Sequence, residues 1–468
     1  MIPCPEAMKR LSVLDAMFLA GETRESMMHV GGLLPFTPPP DQSPRFLREL
    51  ADEIRGSTEV HPPWNLRLRT PSLLRNPLQA WVEDEDFDID YHVRRSALPS
   101  PGDERELGIL VSRLHSVQMD FHRPPWEVHI IEGLAGGRWA LYFKVHHALI
   151  DGYTAMRMLA ASLSEDPADR DTPMFYARPP RTRTARTEGD EAHVPTLAAL
   201  LDAARHEAGA VREVGRAVAN VVRAARSGDR SLVLPLQAPH SILNRRISRN
   251  RRFATAQYPI ERLRRIARAG GGTLNDVALA LCGAALRQLL SDLGELPDQP
   301  LTAMLPVNIR PKDDPGGGNA VGAILASLAT DLDDPRARLE AITASTQRAK
   351  EQLAGMSRSA ILQYSALLTA PLGFQLVPGA AGRVRPAFNV VVSNVPGPER
   401  PLYFRGSRLD GVYPLSIPFH GVGLNITLNG YVDTLNFGFI GCRDVLPHMQ
   451  RLAVYSADAL DELERAVG

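Results

Sequence analysis

Part-way along, the chain passes through a stretch that cannot bury itself, and this break limits the folds open to it. From Glu165 to His193 it includes the run ARPPRTRTARTEGDE. Prolines, charges and small polar residues there leave too little apolar surface to offset the entropy of ordering, so the stretch reads as a linker. On both sides of it strand-like and helix-like patterns alternate. At 468 residues the chain is also longer than one hydrophobic core ordinarily holds. The expected organisation is an N-terminal block over 1–177, a linker with an amphipathic helical segment over 178–245, and a C-terminal block over 246–468. The expected class is α/β in the α+β sense, two blocks of sheet flanked by helices.

Within the middle segment, Leu197, Leu200, Leu201, Val211, Val214, Val218, Val221 and Val222 form an apolar stripe at helical spacing. Arg205, Arg212, Arg216 and Arg223 lie opposite it. Such a surface packs on the protein body or rests on an anionic membrane or lipid droplet. The pattern leaves both open.

Lys+Arg and Asp+Glu are both 53, so no global field draws the chain to nucleic acid. Cys4, Cys282 and Cys442 are far apart and form no CxxC, which argues against a disulfide framework or a zinc site and fits a reducing cytoplasm. No metal site and no cofactor are expected. The first residues lack the basic-then-apolar order of a signal peptide. The best candidate for a spanning segment, 360–381, is broken by Gln363, Pro371, Gln375 and Pro378. The expectation is a cytoplasmic protein, soluble or peripherally attached to the inner membrane or to lipid droplets.

The most specific motif lies at the end of the N-terminal block. In RWALYFKVHHAL (138–149), Leu141, Phe143 and Val145 recur with the period of two of a strand. After Asp151 and Gly152 the spacing changes to three and four, with Met156, Leu159, Ala160 and Leu163 on one helical face. HHALIDG (146–152) is therefore placed where a buried strand gives way to a helix, a rigid mount for catalytic groups. An imidazole with an ordinary pKa near 6.5 is largely neutral at pH 7 and can accept a hydroxyl proton. Asp151 is spaced to orient the site or pair with an Arg, and Gly152 lets the backbone bend or pass close to a ligand. The blander alternative is a pair of satisfied structural histidines followed by an ordinary Asp-Gly turn. In the C-terminal block a helix is expected after 270–272, strands within 301–311 and 388–398, a strand pair within 423–441 and a closing helix from about Asp444.

HHALIDG resembles the HHxxxDG signature of CoA-dependent acyltransferases and peptide-synthetase condensation domains. The rest of the chain resembles one branch, the bacterial wax ester synthase / diacylglycerol acyltransferase family. The resemblance rests on LSVLDAMFLAGETRESMMHVGGL (11–33), WVEDEDFDIDYHVRR (81–95), PPWEVHIIEGL (124–134), LNDVALA (274–280), PVNIRP (306–311) and NVVVSNVPGP (389–398), in the right order along nearly the whole chain. Two departures stand out. Pro124-Pro125-Trp126 replaces the usual Pro-Leu-Trp, and Gln118-Met119-Asp120 replaces the usual Pro-Leu-Asp. They bear on fine substrate preference rather than on the reaction.

The resemblance implies two chloramphenicol-acetyltransferase-like subdomains, each a mostly antiparallel or mixed sheet flanked by helices, with a channel between them. It implies transfer of a long-chain acyl group from acyl-CoA to diacylglycerol, giving triacylglycerol, and to fatty alcohols, giving wax esters. By the same resemblance His147 is the general base, with His146 beside it. Asp151 becomes a structural anchor for an Arg, for which Arg67 is the candidate. Glu22 and Asn275 face the catalytic pocket, with Asp276 next to Asn275 on the substrate-binding side. Glu22 could instead be a solvated loop charge, and Asn275-Asp276 a helix cap. Trp126, Arg310, Ser393 and Asn394 read as packing and turn residues. No GxSxG elbow is present, which favours direct transfer over a serine route. The rival readings are a condensation domain and a non-catalytic lipid-binding protein.

Overall fold

The computed structural model describes residues 9–57, 59–74, 76, 79–179, 233, 237–308, 321–369 and 385–468. Cys4, Arg310, the linker from residue 180 onward and the amphipathic stretch 194–226 lie outside them.

In chain order the elements begin with β1 (Lys9–Arg10), α1 (Val13–Gly21), β2 (His29–Thr37), α2 (Phe46–Gly56), β3 (Leu66–Leu68) and β4 (Ala80–Glu83). They continue with α3 (Ile89–His92), β5 (Val93–Ala97), α4 (Glu104–His115), β6 (Trp126–Glu132), β7 (Trp139–His146) and α5 (Gly152–Ala161). Next come β8 (Arg251–Pro259), α6 (Ile260–Ala269), α7 (Leu274–Asp292), β9 (Thr302–Asn308), β10 (Val321–Ser327), α8 (Pro335–Leu353) and α9 (Arg358–Thr369). The chain closes with β11 (Val390–Val395), β12 (Tyr403–Phe404), β13 (Ser407–Leu409), β14 (Tyr413–Leu415), β15 (Leu424–Tyr431), β16 (Thr434–Cys442) and α10 (Arg451–Val467).

These elements form two compact units, neither of them a single stretch of chain. The first contains Met1–Pro179, Arg245–Leu263 and Ser393–Ala457; the second contains Pro180–Asn244, Arg264–Val392 and Asp458–Gly468. The sequence had suggested consecutive blocks. The difference comes from long-range strand pairing, which local periodicity does not encode. Late strands join the first unit's main sheet, where Leu409 pairs with Phe36 and Tyr413 with Leu33.

That sheet has the order β12-β13-β2-β7-β6-β5, with β14 also on β2. Neighbouring strands in it are antiparallel except β5 and β6, which run parallel. Strand β7 shows why it folds so. Its alternate residues Leu141, Phe143 and Val145 enter the larger apolar core, as their spacing predicts. Ala140 and Tyr142 belong to a second cluster with Leu107, Leu110 and Val111 of α4. Beside β7, Gly32 is required by space, because a Cβ there would lie 2.5 Å from the Phe143 ring. Helix α5 buries Ala155 and Leu159, followed by Leu163, against the larger core, so the expected change of period after Gly152 is present.

In the second unit, β9 and β10 are antiparallel and β11 starts parallel to β9, at Val390 opposite Ala303. Asn389 ties this region together. Its Oδ1 accepts the Thr302 N–H at 2.8 Å and its Nδ2 donates to Asn244 Oδ1 at 2.7 Å. The closing helix starts at Arg451 rather than near Asp444. Asp444 is engaged instead as acceptor for Ser248 and Asn250, and Pro447 disfavours helical backbone just before it. Among the described residues no single helix is long and apolar enough to cross a membrane, and the bent pair α6 and α7 passes only by length and composition.

Candidate active site

The HHALIDG run forms the turn between β7 and α5. Two neighbours fix its entry: the His146 N–H donates to the Pro125 carbonyl at 2.9 Å, and the His147 N–H to the Met28 carbonyl at 2.9 Å. The turn closes through the Leu149 N–H, which donates to the His146 carbonyl at 3.0 Å. The His146 ring joins in, its Nδ1 accepting the Ala148 N–H at 3.1 Å. That bond leaves the ring proton on Nε2, which lies 3.4 Å from Glu22 Oε2.

Glu22 follows α1 as its C-cap and is buried, so the alternative of a solvated loop charge does not hold. Its Oε2 accepts the Met28 N–H at 2.5 Å, and its Oε1 accepts from Gln118 Nε2 at 2.7 Å. A carboxylate out of water needs such donors.

The His147 residue is partly exposed, while its Nδ1 is buried without a hydrogen-bond partner among the described residues. Phe18 of α1 stacks on the ring with centroids 4.0 Å apart. Burial lowers its pKa to about 4, against weaker raising effects that include Asp151, so at neutral pH the imidazole is uncharged and free to accept a proton. Among the described residues each histidine keeps one buried ring nitrogen without a hydrogen-bond partner, Nε2 in His146 and Nδ1 in His147, so the alternative of two satisfied structural histidines fits neither ring fully.

Asp151 is the N-cap of α5. Its Oδ1 accepts the Thr154 N–H at 2.8 Å and its Oδ2 the Thr154 hydroxyl at 2.8 Å. The expected Arg67 partner is elsewhere: Arg67 lies 3.3 Å from Asp84. A local cap satisfies the carboxylate more cheaply than a distant guanidinium, whose position spacing cannot reveal. Gly152 is the first residue of α5, and among the described residues a Cβ there would meet only Val30, at 4.0 Å. The fold itself does not require a glycine at this point.

In the second unit, Asn275 is an exposed residue near the start of α7. Asp276 serves that helix. The N-cap is Thr273, whose N–H and hydroxyl both donate to Asp276 Oδ2, at 2.8 and 2.7 Å, while Thr346 donates to Oδ1 at 2.6 Å. The capping alternative therefore holds for Asp276, with Thr273 rather than Asn275 as the cap. Trp126 is a packing residue, its indole N–H donating to the Trp64 carbonyl at 2.6 Å. Ser393 and Asn394 lie in strand β11 rather than in a turn.

Three groups near the histidines were not foreseen. Phe18 and Gln118 are described above. The third is Lys144, wholly out of solvent, with Nζ 3.4 Å from Glu127 and donating to the carbonyls of Leu114 at 3.2 Å and Val117 at 3.0 Å. Burial lowers the Lys144 pKa, with Glu127 acting against the shift. Burial tends to raise Glu127, yet His129 and Lys144 outweigh it and bring the group to about 2. A signal existed for Lys144, which is one of four lysines in the chain and sits inside an apolar strand run.

A mixed αβ fold presenting HHxxxDG at a strand-to-helix junction is that of the HHxxxDG acyltransferases. Residues 11–278 match the wax ester synthase/diacylglycerol acyltransferase catalytic domain, and residues 317–464 the C-terminal domain of the same family. The chain belongs to the wax ester synthase/diacylglycerol acyltransferase family and is an acyltransferase. A Mycobacterium tuberculosis protein, provisionally named a diacylglycerol O-acyltransferase, is 54% identical, with 98% of each chain covered. The O-acyltransferase WSD of Acinetobacter baylyi is 40% identical, again over 98% of each chain. The structure of the wax ester synthase/diacylglycerol acyltransferase from Marinobacter aquaeolei VT8 superposes with a TM-score of 0.77 at 38% identity, covering 98% of this chain and 99% of that one. A condensation domain of the CDA synthetase, at 19% identity and a TM-score of 0.56, shares the fold.

Proposed function

We propose that the protein transfers a long-chain acyl group from acyl-CoA to the free hydroxyl of diacylglycerol, with long-chain alcohols as a second acceptor, and that His147 is the general base. The observation that carries this reading is the placement of His147 at the turn between β7 and α5, partly exposed and stacked by Phe18, with burial lowering its pKa. The relatives' names support the substrate class. In the reaction the imidazole takes the hydroxyl proton as the acceptor oxygen bonds to the thioester carbonyl carbon. The oxyanion then collapses, the carbon–sulfur bond breaks, and CoA leaves as a thiolate that recovers the proton from the imidazolium. General-base assistance of this kind is worth about 100- to 10,000-fold. Backbone N–H groups near Gly152 are proposed to bind the oxyanion, and water must be kept away from the thioester.

His146, held by Glu22, shapes the turn that aims His147, and Asp151 with Gly152 starts the helix behind it. The protein is further proposed to work in the cytoplasm, attached peripherally to the inner membrane or to lipid droplets, where both greasy substrates partition. The test is product analysis with radiolabelled palmitoyl-CoA and both acceptors in competition. Labelled triacylglycerol in excess over wax ester supports the reading. CoA release without either ester contradicts it.

A further inference from the structure

We propose that Gln118 is a positioning residue for the histidine pair, acting through Glu22. An exposed glutamine ordinarily points its amide at water. This one donates from Nε2 to Oε1 of a buried carboxylate at 2.7 Å. The bond divides the work of the two carboxylate oxygens. With Oε1 held by Gln118, Oε2 is left to the Met28 N–H at 2.5 Å and faces His146 Nε2 at 3.4 Å. Without it the carboxylate can turn about its last torsion, and the orientation of the His146 ring loosens with it.

The amide is delivered from a fixed platform. Gln118 directly follows the end of α4 and the turn after it, where the Leu114 and Val117 carbonyls accept from the Lys144 ammonium at 3.2 and 3.0 Å. Lys144 is itself wholly buried and lies beside Glu127 at 3.4 Å. A line of contacts thus runs from Glu127 through Lys144 and the 114–118 segment to Gln118, Glu22 and His146. The ring of His146 accepts the Ala148 N–H at 3.1 Å, and this places the turn that carries His147. Gln118 acts on turnover through that line, so the inference rests on the reading of the histidine pair as the acyl-transfer centre.

The experiment is steady-state kinetics with palmitoyl-CoA and diacylglycerol on Gln118→Leu, Glu22→Gln and the double variant, with melting temperatures for each. Gln118→Leu is expected to lower kcat about fivefold at unchanged KM, with little change in melting temperature because water can reach the exposed Gln118 position and take the amide's place on Oε1. In the Glu22→Gln background the same change is expected to matter by less than about twofold, because the two residues act as one unit. Gln118→Glu sets a second carboxylate against Glu22 and should lose more activity than Gln118→Leu. Wild-type kcat in Gln118→Leu would overturn the proposal. So would an equal loss in both backgrounds, or a loss that follows a lowered melting temperature. Failure of the underlying reading is distinguishable, since His147→Ala would then remain active whatever Gln118 does.

Discussion

Glu22 and His146 meet at 3.4 Å with both side chains almost wholly out of solvent. One follows the first helix and the other ends the seventh strand, and the contact joins two of the segments that carry the motif resemblance. The Glu22 carboxyl group also accepts a backbone N–H and the Gln118 amide, so two hydrogen bonds fix its orientation beside the ring.

Glu22→Ala is expected to leave the buried Met28 N–H without its partner. A stranded buried donor costs about 1–3 kcal/mol. Urea titration should show a loss of that size, and turnover should fall at least tenfold. A variant as stable and as active as the parent would show that the contact is incidental.

Acid should destabilise the protein early. His29, His92, His115, His129, His147 and His420 are all lowered, with burial the largest cause in each. The unfolded chain therefore binds more protons than the folded one below the ordinary histidine pKa of about 6.5, and stability is lost as pH falls from there through the folded values. For His92 and His147 the window closes near pH 4. Denaturant midpoints measured from pH 8 to pH 5 should fall steadily below pH 7. A flat profile would contradict the burial of these rings.

Asp151→Ala removes the N-cap of α5 and should cost about 0.5–2 kcal/mol, with Asp151→Asn losing less because asparagine also caps. Thermal melts of the two variants decide this. If Asp151→Ala melts like the parent yet is inactive, the carboxylate acts on substrate instead.

Lys144→Met leaves Glu127 with only His129 at 3.6 Å and Arg94 at 3.9 Å, and removing one side of a buried pair typically costs up to about 3–5 kcal/mol. Lys144→Met/Glu127→Gln should recover much of that loss, because no uncompensated charge remains. Equal stability of the single and double variants would mean that the pair is not the unit holding the 114–118 segment.

The parts of the fold legible in the sequence were those that depend on local period. The alternation at Leu141, Phe143 and Val145 and the helical spacing after Gly152 located β7, α5 and the turn between them. Pairings across hundreds of residues, such as Tyr413 with Leu33, leave no local trace, so the make-up of the two units was not readable. Among the site residues, Glu22 was found by motif, but its role needed three dimensions, because its partners Met28, Gln118 and His146 are scattered along the chain. Arg67 was misplaced for the same reason, since only the structure shows Asp84 beside it. The lowered pKa of His147 comes from the packing of Phe18 and its surroundings, which no spacing rule reports.

The most direct measurement is turnover of palmitoyl-CoA and diacylglycerol by purified, correctly folded His147→Ala, compared with the parent between pH 5 and pH 8. Activity in the variant should fall by at least a hundredfold, the lower end of what a general base contributes. The parent's rate should hold down to well below pH 6.5, because its imidazole stays neutral until near pH 4. A folded variant keeping more than about a tenth of the parent's rate would remove His147 from the chemistry, since a base contributes about 100-fold or more.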